Sequence, residues 1–109
     1  MVELTEKKCT ECRVGTPPVV GAELQEYMQE LKGGWKAIHE HHLEKEFTFK
    51  DFKDALAFTN KVGNLAEDEG HHPDLHLSWG KVRIVLWTHK INGLSESDFI
   101  LAAKIDQLS

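Results

Sequence analysis

Leu75-His76-Leu77-Ser78-Trp79-Gly80-Lys81-Val82-Arg83-Ile84-Val85-Leu86-Trp87-Thr88-His89 is the stretch that decides the fold. Its second half alternates. Val82, Ile84, Leu86 and Thr88 take one face of an extended chain, and Arg83, Val85, Trp87 and His89 take the other. Such alternation, rich in β-branched residues, marks a half-buried strand. Gly80 and Lys81 suit a tight turn, so Leu75–Trp79 and Val82–His89 read as an antiparallel hairpin. A second pair lies upstream, Trp35–His39 and about Leu43–Phe49, with Leu43, Phe47 and Phe49 on one face. The polar run His39-Glu40-His41-His42 is its loop.

Helical patterns flank the hairpins. Leu24, Met28 and Leu31 share one face of a helix over Ala22–Lys32, which Gly33-Gly34 stops. Between the hairpins, Thr48 and Asp51 have capping-box spacing. Phe52, Ala55, Leu56, Thr59, Val62, Gly63 and Ala66 then form a 3.6-period stripe that Gly70 ends. The last helix, Glu96–Gln107, has a full start signal: Ser95 as N-cap, Asp98 at N3, and Leu94 with Phe99 as a hydrophobic staple. The order α-β-β-α-β-β-α predicts an α+β fold, a four-stranded antiparallel sheet with three helices packed on one face. Residues 1–20 read as an N-terminal arm and 21–109 as the domain. The other sheet face, carrying Val85 and Trp87, is expected to meet a second copy of the chain.

Composition bounds the function. The chain has 109 residues, enough for one domain with its own core. Hydrophobic residues at 40% and charged residues at 28% fit a globular protein, not a disordered one. A net charge of −5 argues against holding nucleic acid by general electrostatics. No apolar run approaches the roughly 18 residues of a membrane span. MVELTEKKCTEC lacks the apolar stretch of a signal peptide, so a cytoplasmic location is expected. Cys9 and Cys12 form a C-x-x-C without the second pair of a zinc ribbon. They read as a mobile, reduced thiol pair; His39, His41 and His42 complete a zinc site only if the arm folds back.

Seven histidines are unusual in so short a chain. His71 and His72 enter the third strand, behind Glu67 and Gly70 and ahead of a rigid Pro73. His89 ends the fourth. In an antiparallel pair the end of one strand lies beside the start of the other, so His89 falls near His71-His72. Imidazoles gathered so can bind a metal or move protons near neutral pH. A solvated turn is the plainer alternative. The spacing matches no metalloenzyme motif.

At these residues the sequence resembles the pterin-4a-carbinolamine dehydratase family. That family's signature is an acidic residue, three positions, His-His-Pro, five or six positions, an aromatic, nine positions, His, and eight or more positions before Asp. Here Glu67, His71-His72-Pro73, Trp79, His89 and Asp98 fall at permitted spacings. Gly34-Trp35, Phe47-x-Phe49-x-Asp51-Phe52 and Gly93-Leu94-Ser95 extend the resemblance across about residues 20–108.

The resemblance implies the same fold, a homodimer or homotetramer, and dehydration of a 4a-hydroxytetrahydropterin to the quinonoid dihydropterin. Such an enzyme recycles the pterin cofactor of aromatic amino-acid hydroxylases. It implies no cofactor or metal, and the charge and hydropathy above predict no nucleic-acid or membrane partner. His71 and His89 are the implied acid/base groups, with His72 positioning the pterin or assisting. Glu67 holds an imidazole tautomer or binds the ring; it could equally be a helix-end carboxylate. Thr88, Trp87 and the backbone around His89 meet the pterin. Some relatives carry acidic residues where this chain has Gly70 and Lys90, which alters that edge of the pocket. Asp98 belongs to the signature but reads first as the helix cap. His39, His41, His42 and His76 match no catalytic position and read as loop or surface residues. The alternative role is an interaction protein that stabilises dimers of a partner through its helical surface.

Overall fold

A computed structural model describes residues 4–9 and 15–109. Its regular elements are α1 (Gly21–Glu30), β1 (Lys36–Ile38), β2 (His42–Thr48), α2 (Phe52–Glu69), β3 (Asp74–Ser78), β4 (Lys81–Leu86) and α3 (Glu96–Leu108). Short 3-10 turns cover Leu4–Glu6 and His89–Ile91. The strands form one antiparallel sheet in the order β1-β2-β4-β3. Both expected hairpins are present, and β2 pairs with β4 to join them, from Leu43↔Leu86 to Thr48↔Lys81.

The sheet's inward face carries Leu43, Phe47, Val82, Ile84 and Leu86, all buried, and the three helices cover it. α3 is buried almost all round: Phe99, Ile100, Leu101, Ala102 and Ile105 are each at most 1% exposed. A helix buried on nearly every side belongs at the centre of a layer. The other sheet face mixes charge with Val85 and Trp87, and Arg83 there pairs with Glu44 at 3.3 Å.

Three sequence readings change. Thr48 ends β2, and Asp51 is the N-cap of α2, accepting the Asp54 N–H at 2.8 Å. The buried stripe of α2 is Ala55, Phe58, Val62 and Ala66, while Phe52 and Leu56 stand 45% and 40% exposed. Phe58 turns inward because the sheet offers it Phe47 and Phe49, with ring centroids 4.8 and 5.1 Å away. The fourth strand stops at Leu86, so His89 rides a 3-10 turn rather than the strand.

One buried ionic cluster ties sheet to helix. Asp106 of α3, 2% exposed, accepts from Trp35 Nε1 at 3.0 Å and from Lys45 Nζ at 2.7 Å. Lys45 also lies over the Phe47 ring at 4.7 Å. No helix among the described residues is long and apolar enough to cross a membrane.

Candidate active site

The site forms where α2 hands the chain to β3 and where β4 leaves the sheet. Gly70 caps α2 in the left-handed conformation, φ 67°, and its N–H bonds back to the Ala66 and Glu67 carbonyls. Glycine takes that conformation at no steric cost. The His71 N–H also returns to Ala66, at 3.3 Å. These bonds fix the direction in which the chain leaves the helix. Asp74↔Val85 is the last β3–β4 pair, so His71, Thr88 and His89 all stand beyond the same end of the hairpin.

Beyond β4, Thr88 and Gly93 exchange backbone hydrogen bonds at 2.8 and 3.4 Å and close a small loop over the His89 turn. Gly93 is needed there, since a Cβ would sit 2.8 Å from Pro18 Cβ. The loop delivers Ser95 to the start of α3, whose capping box is complete: Ser95 accepts the Asp98 N–H, and Asp98 Oδ2 accepts the Ser95 N–H at 2.9 Å.

Asp98 does more than cap. It is fully buried, and Oδ2 also accepts the Thr88 hydroxyl at 2.9 Å. With that proton committed, the Ser95 hydroxyl is the donor to Thr88 across 2.7 Å. Oδ1 lies 2.6 Å from His71 Nε2. A buried carboxylate demands a donor on each oxygen, so His71 carries its proton on Nε2 and Nδ1 keeps its lone pair. The ring is 15% exposed, enough to meet a small molecule.

The other candidates fall into two groups. His72 and Glu67 face each other at 3.6 Å, both well exposed; an exposed pair of that length contributes little. His89 stacks on Trp87, ring centroids 3.8 Å apart and 22° from parallel. Thr88 points inward at 7% exposure, so its side chain serves Asp98 while its neighbours Trp87 and His89 face outward. Lys90 is exposed on the same turn.

His41, read from its spacing as a loop residue, joins this end of the sheet. Its ring packs on Trp87 at 4.6 Å, its Nε2 donates to Asn92 Oδ1 at 2.9 Å, and its Nδ1 lies 3.1 Å from His42 Nδ1. Its turn holds His39 and Glu40 at φ 53° and 55°, a conformation that costs a non-glycine residue of order 1–3 kcal/mol. Trp79, in contrast, occupies the β3–β4 turn at the far end of the hairpin and is 69% exposed. Among the described residues, no three His, Cys, Asp or Glu side chains converge as a metal site.

The sequence model of the family described as Pterin 4 alpha carbinolamine dehydratase matches residues 17–108. The chain belongs to this family. A protein of Alkaliphilus metalliredigens (strain QYMF), named "Putative pterin-4-alpha-carbinolamine dehydratase", is 60% identical over 107 residues, 98% of this chain and 96% of its own length. A crystal structure described as a transcriptional coactivator/pterin dehydratase from Brucella melitensis superposes with a TM-score of 0.78 at 29% identity, covering 84% of this chain and 97% of that one. A pterin dehydratase-like protein described as a RuBisCO assembly factor in the α-carboxysome gives 0.60 at 27% identity, covering 69% and 88%. In this member of the pterin-4a-carbinolamine dehydratase family, the signature residues His71 and Asp98 are in direct contact.

Proposed function

We propose that the chain dehydrates a 4a-hydroxytetrahydropterin to the quinonoid dihydropterin, recycling the pterin cofactor of an aromatic amino-acid hydroxylase. The observation that carries this reading is the His71–Asp98 pair, 2.6 Å long, with the carboxylate fully buried and the imidazole open on its other nitrogen. A carbinolamine holds a hydroxyl and an amine nitrogen on one carbon. The nitrogen lone pair expels the hydroxyl, which leaves as water once protonated, and the nitrogen then gives up its own proton. The step needs one base and one acid.

His71 Nδ1 is the base, and Asp98 stabilises the imidazolium that forms. His89, exposed and stacked on Trp87, delivers the proton to the leaving oxygen. His72 and Glu67 border the pterin on the α2 side, and Trp87, Lys90 and the Thr88–His89 backbone border it on the β4 side. The open sheet face, with Val85 and Trp87, is the proposed contact with a second copy.

The test is direct. A hydroxylase generates the 4a-hydroxypterin, and its decay is followed with and without this protein. Acceleration is expected, and His71→Ala and His89→Ala should each slow it by roughly 10²–10⁴. No acceleration by the unaltered protein refutes the activity; unaltered rates in both variants refute the residue assignment.

A second reading, a partner-binding role through the helical layer, rests on Phe52 and Leu56 of α2, large apolar side chains left exposed. Co-purification of a helical partner, lost in Phe52→Ser/Leu56→Ser, together with absent dehydratase activity, would favour it.

A further inference from the structure

Cys9 lies outside the family-matched residues 17–108, and the proposed chemistry does not use it. Its segment, read from sequence as part of a mobile arm, is packed onto the body; Cys12 lies outside the described residues. Leu4 is 3% exposed within the hydrophobic core, and the Lys7 N–H closes a 3-10 turn on the Leu4 carbonyl at 3.1 Å. Lys7 Nζ donates to Glu96 Oε2 at 2.9 Å, on the first residue of α3. The Cys9 thiol donates to the Ser97 carbonyl at 3.4 Å, and the Cys9 N–H donates to Glu69 Oε1 at 3.0 Å. Glu69 Oε2 accepts from Lys104 of α3 at 2.8 Å, and its side chain is 7% exposed.

These partners bracket the His71–Asp98 pair. Glu69 ends α2 two residues before His71, and Ser97 precedes Asp98 in α3. The link from Glu69 to His71 is stiff, because the N–H groups of Gly70 and His71 both return to α2 carbonyls. Displacing Glu69 therefore displaces His71 relative to Asp98.

We propose that residues 4–9 act as a clamp that sets the separation of His71 and Asp98, with Cys9 and Glu69 as positioning residues for the base. Burial and the Glu69 charge push the Cys9 thiol up to about 12, so it remains a donor to Ser97 at neutral pH. The role in turnover rests on the dehydratase reading above; the geometric role does not.

The experiment therefore has two readouts on the full chain. One is dehydratase kcat and KM. The other is the NMR resonance of the His71 imidazole N–H, whose exchange with water is slowed by its bond to Asp98; its absence in His71→Gln assigns it. Glu69→Ala should lower kcat about tenfold with KM within about twofold, and broaden the resonance away. Glu69→Gln, which keeps an oxygen for the Cys9 N–H, should restore both. A folded Glu69→Ala protein with unchanged kcat and an intact resonance overturns the clamp. If Glu69→Ala does not fold, Lys104→Met and Cys9→Ala decide by the same resonance: broadening supports the clamp, and an intact signal in both overturns it. If the unaltered protein lacks dehydratase activity, the resonance still decides the clamp, and only the proposed function falls.

Discussion

Asp98 shows how one side chain can be legible in one role and hidden in another. Its spacing from Ser95 marks it as a capping residue, and it is one. That its second oxygen reaches His71 depends on α3 lying under the end of the β3–β4 hairpin, a relation between segments 27 residues apart. Asp98→Asn separates the two roles. The amide oxygen can still accept from the Ser95 N–H, but the NH₂ group then faces His71 Nε2 and forces the proton onto Nδ1. The base is lost with the fold intact. The expected outcome is a fall in kcat of roughly 10²–10⁴ with little change in thermal midpoint. A variant that turns over like the parent removes the tautomer argument. His41 was illegible for a related reason. Only the β2–β4 pairing brings its loop beside Trp87, and neither hairpin alone implies that pairing.

At the scale of elements, the strands and helices were the most readable part, because alternation and caps are local signals. The errors have local causes too. Asp51 was visible as a polar cap candidate, but its partner is Asp54 ahead of it, not Thr48 behind. On α2, Phe52 and Leu56 fit the apolar stripe as well as Phe58 does; packing of Phe58 against Phe47 and Phe49 decided which face was covered. The junction of α2, α3 and residues 4–9 carries a pH dependence. Burial pushes the Glu69 carboxyl up, but the Lys104 and Cys9 hydrogen bonds and the Lys104 charge outweigh it and hold it below its ordinary 4.5. The Lys7 hydrogen bond holds Glu96 below 4.5 as well, against a smaller upward push from burial. A lowered folded pKa means that the stabilisation is present above the unfolded value and is lost as pH falls through the folded one. Denaturant midpoints should therefore drop as pH is lowered below about 4.5, and less steeply in Glu69→Gln. Parallel acid profiles for the two proteins would show that Glu69 contributes nothing to this loss.

For the whole molecule, the sheet and α3 are joined by the apolar core and by the buried Lys45–Asp106–Trp35 cluster. Removing the carboxylate leaves the largely covered Lys45 charge, 14% exposed, and the buried Trp35 N–H unpaired. Asp106→Ala should cost about 3–5 kcal/mol in equilibrium unfolding. A loss below about 1 kcal/mol would show that water or another group replaces the carboxylate. The sequence by itself determined the two hairpins, the three helices, their order and the histidine-rich turn, since each is written in spacings of a few residues. Tertiary structure alone decided that β2 lies against β4, that Asp98 closes on His71, that His41 joins Trp87, and that Cys9 packs at the junction of α2 and α3. Those contacts link residues 27 to 88 positions apart or depend on sheet order, and no short-range periodicity encodes which distant surfaces meet.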